Sequence, residues 1–325
     1  MPHTSTSLQL SHRFSVIGGD GRMLYLAERL TEEGCPVSLF GCGDNCLPAR
    51  DPHNRLRICS TLSKAVENAT AVILPLPATR DGKTVYCPRD SSAGIALSEI
   101  ISLVDRNPNL ILFGGRLPSD WIAGRESRML DYYEDPVLQL RNAYVTAEAA
   151  LMTAMELTDR VLRDTPVAIL GYGRIGKYLA RLLRGMGADV TVCARRPERL
   201  FEAADEGCRT LRITEEEPHR GLSSLAQTYA VLFNTIPAPL LSADLLRGME
   251  PDTLLVDLAS APFGVRDEDV REVTAPNGLR YLRAPSLPGS YAPRDAGRII
   301  AECVLDRLSR MSPPTQIDRE GGPSL

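Results

Sequence analysis

The segment VAILGYGRIGK, residues 167–177, decides the fold of this chain. A short apolar run typical of a strand enters the glycine pattern G-x-G-x-x-G and continues into a helical pattern. Gly171 allows a tight turn out of the strand, Gly173 leaves room for a pyrophosphate, and Gly176 lets the helix pack closely against the strand. The N-terminus of that helix then faces the phosphates.

The residues around this segment support the same interpretation. Apolar residues at helical spacing follow the loop as far as Gly187, and an apolar strand pattern occupies residues 189–193. Together they predict a βαβ unit that binds a dinucleotide. The alternative is a glycine turn in a βαβ unit that binds no ligand.

The end of the second strand favours NADP over NAD. An NAD site usually places Asp or Glu there, about 20 residues on, to accept a hydrogen bond from the ribose 2′-hydroxyl. This chain has Arg195 and Arg196 instead, and two guanidiniums suit a 2′-phosphate through bidentate hydrogen bonds. The alternative is that both arginines are solvated loop charges.

The bulk composition excludes several classes of function. The 325 residues are enough for two domains, and 43% hydrophobic with 24% charged residues is ordinary for a globular protein. The net charge of −4 gives no electrostatic reason to expect binding to nucleic acid or to an anionic membrane. The cysteines and histidines are scattered, so we expect reduced thiols in a cytoplasmic protein and no metal site.

The first half of the chain has its own strand and loop pattern. A strand at Phe14–Ile17 runs into the loop GGDGR, residues 18–22, which is not a second G-x-G-x-x-G because polar residues interrupt it. Two further strands, at 71–74 and 110–113, also end in polar or glycine-rich loops. Because open α/β sheets bind ligands beyond the carboxyl ends of their strands, this half is predicted to be a Rossmann-like or flavodoxin-like substrate domain.

Long helical patterns at residues 147–162 and 294–309 complete the layout. The predicted fold class is α/β, with two Rossmann-like doubly wound parallel-sheet domains around a cleft, linked by long helices. We assign residues 1–140 to the substrate domain and 141–293 to the NADP-binding domain. The helix at 294–309 is expected to pack back on the first domain, and residues 311–325 are expected to be disordered.

Two carboxylates are candidates for the catalytic group. Hydride transfer requires an oriented nicotinamide, a positioned substrate and a group that exchanges a proton. Asp257 ends a buried strand, and Glu148 begins the 147–162 helix, with Thr146 as the predicted N-cap. For Asp257, capping of the neighbouring loop is equally favoured. For Glu148, the alternative is a favourable charge at a helix N-terminus.

The other candidates lie in glycine loops and strand-end loops. Three of them, Arg22, Arg116 and Arg294, are suited to clamp carboxylates, with an ordinary surface arginine as the alternative for each. The predicted substrate contacts are Gly19, Asp20, Arg22, Thr79, Arg116, Ser260 and Arg294. The predicted cofactor contacts are Gly171, Gly173, Arg174, Ile175, Gly176, Arg195, Arg196, Asn234, Thr235, Ile236, Pro237, Leu258, Ala259 and Pro288.

The distribution of histidine argues against simple reduction of a keto acid. A D-2-hydroxyacid dehydrogenase is expected to carry a catalytic histidine in a loop before its last helix. Residues 286–294 contain none, and His219 lies in a different part of the second domain.

Several separated motifs make the chain resemble the A subunits of dipicolinate synthase, from about Phe14 to Leu308. They are VIGGDGR at 16–22, LPLP at 74–77, TRDG at 79–82, NAYVTAE at 142–148, NTIP at 234–237, DLAS at 257–260 with Pro262 and Gly264, and APSLPG at 284–289 with Ala292-Pro293 and Ala296-Gly297.

The resemblance implies oxidation of dihydrodipicolinate, or of its hydroxylated tetrahydro precursor, to dipicolinate with a nicotinamide acceptor in sporulation. It also implies that the partner is the flavoprotein-like B subunit of dipicolinate synthase and that the location is the mother-cell cytoplasm, and we expect a homo-oligomer. Two positions depart from the family pattern. Phe263 stands where a second glycine is usual, and Arg294-Asp295 replaces Lys-Thr, which affects the fine placement of the substrate and not the fold.

Two other interpretations stay open. One is an amino-acid or imino-acid dehydrogenase resembling alanine dehydrogenase, which shares this layout. The other is a regulatory or assembly protein that binds NADP while its partner carries out the chemistry.

Overall fold

The chain divides into two compact units. A computed structural model describes residues 12–43, 54–90, 94–214, 222, 229–274, 279–284 and 286–311. Unit 1 comprises the described residues of 1–138 and 293–325, and unit 2 comprises those of 139–292. The boundaries predicted at residues 140 and 293 lie close to these divisions.

Unit 1 is built on a parallel sheet. Among its described residues, six strands pair in the order β3-β2-β1-β4-β5-β6. This is the doubly wound Rossmann order and differs from the flavodoxin order, so it decides between the two interpretations of this domain. The strands are β1 (Phe14–Ile17), β2 (Val37–Phe40), β3 (Leu56–Ile58), β4 (Ala71–Ile73), β5 (Ile111–Gly114) and β6 (Met129–Asp131).

Unit 2 repeats the same topology. Its described strands form a parallel sheet in the order β12-β11-β10-β7-β8-β9, which is again the Rossmann order. The predicted pair of doubly wound parallel-sheet domains is therefore confirmed. The strands are β7 (Pro166–Leu170), β8 (Asp189–Ala194), β9 (Arg209–Arg212), β10 (Val231–Asn234), β11 (Leu254–Asp257) and β12 (Arg280–Arg283).

Helices connect the strands in both units, as parallel strands require. The described helices are α1 (Gly21–Glu32), α2 (Leu62–Val66), α3 (Leu97–Arg106), α4 (Ser119–Ile122), α5 (Pro136–Leu157), α6 (Arg174–Gly185), α7 (Pro197–Asp205), α8 (Ala243–Arg247), α9 (Asp267–Thr274), α10 (Leu287–Tyr291) and α11 (Pro293–Arg310).

Both faces of the unit 2 sheet are buried. Val167 and Ile169 of β7 pack into a core with α5 and α6, whereas Ala168 and Leu170 of the same strand pack into a second core on the opposite face. Successive side chains of a strand point to opposite faces, which explains the continuous apolar run that opens the glycine motif.

Helix α5 begins earlier than the sequence pattern predicts. The Asp135 carboxylate accepts hydrogen bonds from the Val137 and Leu138 N–H groups, both at 2.9 Å, and Pro136 occupies the first helical position. Thr146 is not an N-cap, because its hydroxyl donates to a carbonyl oxygen one turn back within the helix. The predicted start near residue 147 is therefore wrong.

Helix α11 packs on α1 within unit 1, where the sequence predicts that it belongs. The helices approach so closely at Gly297 that an added Cβ would collide with the Arg22 carbonyl oxygen and lie 2.9 Å from the Leu26 nitrogen. The predicted disordered tail lies outside the described residues apart from Met311. No helix in the described ranges is both long enough and apolar enough to cross a membrane.

Gly297→Ala is expected to destabilise unit 1 by about 1–3 kcal/mol, because the new methyl group meets backbone atoms that cannot rotate away. Thermal and urea unfolding measure the change. The matched control is Gly185→Ala at the end of α6, where an added Cβ meets no described atom within 4 Å. That control is expected to be neutral or slightly stabilising. Equal effects of both substitutions would contradict the close helix crossing.

Candidate active site

The glycine loop that follows β7 has the backbone geometry that the three predicted roles require. Gly171 has a φ of +97°, and a Cβ there would collide with the hydroxyl oxygen of Thr235. At Gly176, a Cβ would collide with the Gly171 carbonyl oxygen. At Gly173, an added Cβ meets no described atom within 4 Å. The loop therefore has two crowded glycines and one that faces open space, which suits the approach of a pyrophosphate.

Helix α6 begins directly at this opening. Gly173 is its N-cap residue and supplies no side-chain hydrogen bond to the N–H groups of the first turn. Arg174 is exposed and Ile175 is half-buried. The first-turn N–H groups and the positive end of the helix dipole therefore suit the phosphates of a dinucleotide.

Three arginines lie at the carboxyl ends of β8 and β9. The Gly171 N–H donates to the Cys193 carbonyl oxygen over 2.8 Å, which places the glycine loop beside the end of β8. Arg195 and Arg196 follow that strand and are exposed, as is Arg212 at the end of the neighbouring β9. This edge of the sheet presents positive charge where an NAD site usually has a carboxylate.

The end of β10 holds its loop against the glycine loop. The Asn234 side-chain nitrogen donates to Asp257 Oδ1 over 2.8 Å, and its oxygen accepts from the Ile236 N–H over 3.1 Å. The N–H and the hydroxyl of Thr235 both donate to the Leu170 carbonyl oxygen at 2.9 Å. These contacts fix three of the predicted cofactor residues next to Gly171.

Asp257 is fully buried, and donors fill its carboxylate. It accepts from the Asn234 amide, from the Ala259 and Gly264 N–H groups at 3.2 and 2.8 Å, and from the Tyr281 hydroxyl at 3.1 Å. A carboxylate has about four acceptor sites. The geometry therefore favours the loop-capping interpretation of Asp257 over the role of proton acceptor.

Phe263, which stands where the family usually has glycine, contacts Arg283. Phe263 has a φ of +66°, in the left-handed region that favours glycine. The Arg283 guanidinium lies 4.0 Å from the centroid of the Phe263 ring. It also donates to the Tyr281 hydroxyl at 3.2 Å and to the Val265 carbonyl oxygen at 3.1 Å. Arg283 therefore connects this loop to the Asp257 network.

The remaining predicted residues of unit 2 follow the carboxyl ends of β10, β11 and β12. Pro237 is exposed in the loop after β10. Leu258 and Ala259 are buried after β11, and Ser260 beside them is half-buried. Pro288 is buried in the short helix α10.

Glu148 lies well inside α5, so its predicted place in a first turn is wrong. It is half-buried and hydrogen-bonds with Tyr144, which raises the pKa of the Tyr144 hydroxyl. The Tyr144 ring makes an edge contact with Tyr178 of α6, with ring centroids 5.3 Å apart. Glu148 therefore lies where α5 packs on the helix that follows the glycine loop.

Asp20 and Arg22 form an ion pair at the start of α1. Arg22 Nε and Nη2 donate to the two Asp20 carboxylate oxygens at 2.8 and 2.7 Å, and Nη2 also donates to the Leu76 carbonyl oxygen. Arg22 is only 3% exposed. Its guanidinium joins the first loop to the loop after β4, and this geometry disfavours a role as carboxylate clamp.

The first glycine loop is covered by the chain itself. The Gly19 N–H donates to the Tyr86 carbonyl oxygen over 2.8 Å, and a Cβ on Gly18 would lie 2.6 Å from the Cys87 sulfur. The position that corresponds to Gly173 is Asp20, whose carboxylate accepts a hydrogen bond from the Arg22 N–H and caps α1, so this helix start is already occupied by a side chain of the chain itself.

The other predicted substrate residues of unit 1 have different surroundings. The Thr79 hydroxyl lies 3.1 Å from Asp81 Oδ1 inside a tight turn. Arg294, at the start of α11, lies 3.9 Å from the buried Glu28 carboxylate. Arg116 is exposed immediately after β5 and has a φ of +56°.

Sequence reasoning missed Arg212, Tyr281 and Arg283. Each belongs to a short strand with polar residues, and the sequence carries no signal for the register that brings Tyr281 to Asp257.

Both units match known families. Residues 13–134 match the family model for the N-terminal domain of the dipicolinate synthase A subunit. Residues 139–268 match the NAD-binding domain of D-isomer-specific 2-hydroxyacid dehydrogenases. The A subunit of dipicolinate synthase from Bacillus subtilis (strain 168) is 29% identical over 300 residues, which cover 91% of this chain and 95% of that protein. The resemblance to the A subunits of dipicolinate synthase is confirmed.

Solved structures support the same relationship. The dipicolinate synthase A subunit from Bacillus halodurans has a TM-score of 0.75 at 27% identity, covering 93% of this chain and 99% of that chain. An L-alanine dehydrogenase shares the fold, with a TM-score of 0.59 at 15% identity over 91% of this chain and 88% of that chain. The matches and the open glycine loop indicate an oxidoreductase whose second unit takes a nicotinamide dinucleotide.

Gly173→Ala is expected to weaken dinucleotide binding about tenfold, equivalent to about 1.4 kcal/mol, while leaving thermal stability nearly unchanged. The methyl group enters the open space that phosphates require and touches no described atom. Calorimetric titration with NADP and NAD, together with thermal unfolding, measures both quantities. Gly176→Ala is the comparison. Its Cβ collides with the backbone, so this variant is expected to lose both dinucleotide affinity and thermal stability. Unchanged binding by the Gly173 variant would place the phosphates elsewhere.

Asp257→Asn is expected to lower the free energy of unfolding by roughly 2–4 kcal/mol, because one carboxylate oxygen becomes an NH2 donor and the buried donors that face it lose their acceptor. Urea unfolding measures the loss. Asp244→Asn, an exposed acid in the same unit paired with Arg247, is the control and is expected to change stability little. A variant at Asp257 that keeps full stability and loses only turnover would restore the proton-acceptor interpretation.

Proposed function

We propose that the chain is the NADP-dependent dehydrogenase component of a dipicolinate-forming enzyme. The observation that carries the proposal is the open glycine loop at Gly173 beside three exposed arginines, in a chain that resembles a dipicolinate synthase A subunit over 91% of its length. Arg195 and Arg196 bind the 2′-phosphate in this proposal, because guanidiniums form bidentate hydrogen bonds with phosphate oxygens. Arg212 adds positive charge at the same edge.

The proposed substrate is dihydrodipicolinate, and the hydroxylated tetrahydro precursor becomes the same compound by loss of water. A bound nicotinamide supplies the hydride acceptor. Dihydrodipicolinate gives up one hydride and one proton, and the pyridine ring becomes aromatic. The stability of the product therefore favours the forward direction, and the protein has to position the ring and accept a proton.

Glu148 is the proposed proton acceptor. It is a half-buried carboxylate hydrogen-bonded to Tyr144, next to the helix that begins at the glycine loop. Asp257 has the supporting role, because all of its acceptor sites are engaged by protein donors. Asp257 therefore fixes the loops that hold the cofactor, and Glu148 exchanges the proton.

The proposal extends to partners and location. The relatives are named as the A component of a synthase, so we propose that this chain pairs with a flavoprotein-like B subunit. We also propose a homo-oligomer in the cytoplasm of the mother cell of a sporulating bacterium. The fold shared with L-alanine dehydrogenase keeps oxidation of an amino acid as the second candidate function.

The test is turnover of the condensation product of aspartate semialdehyde and pyruvate by the purified chain, with NADP or NAD, in the presence and absence of the B subunit. The absorbance of the reduced cofactor and of the pyridine product are followed together. We expect both to rise, and faster with NADP. A preference for NAD overturns the cofactor assignment, and turnover of alanine in place of the pyridine precursor overturns the substrate.

The Arg195→Ala, Arg196→Ala double variant sharpens the cofactor test. It is expected to weaken NADP binding about tenfold or more and to leave NAD binding unchanged, because only NADP carries the 2′-phosphate. Arg199→Ala is the matched control, since Arg199 pairs with Glu202 within α7.

A further inference from the structure

Unit 1 contains a cavity of about 240 Å³ beside its first glycine loop. Arg80, Asp81 and Tyr86 line it, and all three lie in the segment between β4 and α3. The same segment covers the glycine loop, since the Tyr86 carbonyl oxygen accepts from the Gly19 N–H. This segment therefore lies between the cavity and the glycine loop that follows β1.

The Arg80 guanidinium lies over an aromatic ring. Its carbon atom Cζ lies 4.2 Å from the centroid of the Tyr86 ring. Stacking engages the face of the guanidinium and leaves its N–H donors in the plane, where they match the two oxygens of a carboxylate. Arg80 is exposed, so an incoming carboxylate can reach these donors.

A rigid turn fixes the backbone that carries Arg80. Asp81 Oδ1 accepts from the Lys83 and Thr84 N–H groups, both at 2.8 Å, and from the Thr79 hydroxyl at 3.1 Å. Asp81 Oδ2 accepts from the Thr84 hydroxyl at 2.7 Å, and these hydrogen bonds hold the pKa of Asp81 well below its usual range. Asp81 is therefore engaged by the turn rather than by Arg80.

The other arginines predicted as clamps are less suited to this role. Arg22 is buried against Asp20, and Arg294 faces Glu28 on α1. Arg116 is exposed and stacks on an aromatic ring, but it does not line this cavity. Arg80 combines exposure, an aromatic platform and a cavity.

We propose that this cavity binds one carboxylate of a planar aromatic or dihydroaromatic acid, with Arg80 as the bidentate anchor and Tyr86 as its platform. The inference rests on the proposed function and deepens it, because it assigns a site to one of the two substrate carboxylates. Asp81 and Asp90 also line the cavity, and like charges repel. Arg80 is the one cation among the described lining residues, and its fork pairs with a single carboxylate, so the second carboxylate is expected to lie outside the cavity.

Arg80→Met tests the anchor, because it keeps an unbranched apolar stem on Tyr86 and removes the guanidinium. Calorimetric titration of the full chain uses pyridine-2,6-dicarboxylate, its neutral diamide and NADP as probes. We expect affinity for the dicarboxylate to fall about 10- to 100-fold, with little change for the diamide or for NADP. Arg80→Lys is expected to be intermediate, because the charge is kept and the fork is lost. Arg89→Met, in the same segment, is the matched control and is expected to leave all three affinities unchanged.

The outcomes separate this inference from the proposed function. Wild-type chain that binds NADP but not pyridine-2,6-dicarboxylate overturns the proposed substrate. Wild-type chain that binds the dicarboxylate, with Arg80→Met binding it equally well, overturns the anchor and leaves the proposed function intact. Equal losses for the dicarboxylate and the diamide also overturn the anchor, because a structural defect affects both probes alike.

Discussion

The loops at the carboxyl ends of the unit 2 strands depend on the hydrogen bonds that the buried Asp257 carboxylate accepts. A charge removed from water is tolerated only when donors surround it, and the donors here come from β10, β12 and the loop after β11. This requirement fixes the neighbouring residues. Gly264 has to lack a side chain, since its N–H reaches Asp257 while a Cβ would collide with the Asn234 amide. The loops next to the glycine motif are therefore positioned by the needs of one anion.

The two units have the same strand order and use it differently. In unit 2 the chain leaves the space at Gly173 open, and the helix that follows has no side-chain cap. In unit 1 the corresponding residue is Asp20, whose carboxylate caps the helix, and the Tyr86 carbonyl oxygen accepts from the neighbouring Gly19 N–H. A Rossmann sheet offers a ligand site at the point where the strand order reverses. Whether that site takes a dinucleotide or a smaller molecule is decided by the loops that lie over it.

Much of this arrangement follows from local sequence. The glycine spacing at residues 171–176 predicts which glycines are crowded and which one is open, because each role depends on the course of the chain through the loop itself. Two parallel-sheet domains follow in the same way from alternating strand and helix patterns.

Features that depend on contacts between distant parts of the chain cannot be predicted from local sequence. Arg22 looks like a free cation in the sequence, but the fold brings it to the Leu76 carbonyl oxygen. Glu148 was misplaced because the start of α5 is set by Asp135 and Pro136, more than two turns earlier, and not by the threonine nearest to it. The contact of Tyr281 with Asp257 depends on the pairing of β12 with β11, which no local pattern encodes.

The stack of Arg283 on Phe263 also constrains how this sequence can change. A glycine at position 263 adopts the left-handed backbone at no steric cost and gains nothing from a cation above it. Once phenylalanine occupies the position, the guanidinium stabilises a conformation that the side chain disfavours. The backbone conformation at position 263 and the guanidinium at position 283 are therefore coupled. Replacement of either residue changes what the other contributes to the loop, so the effects of the two replacements on stability are not additive.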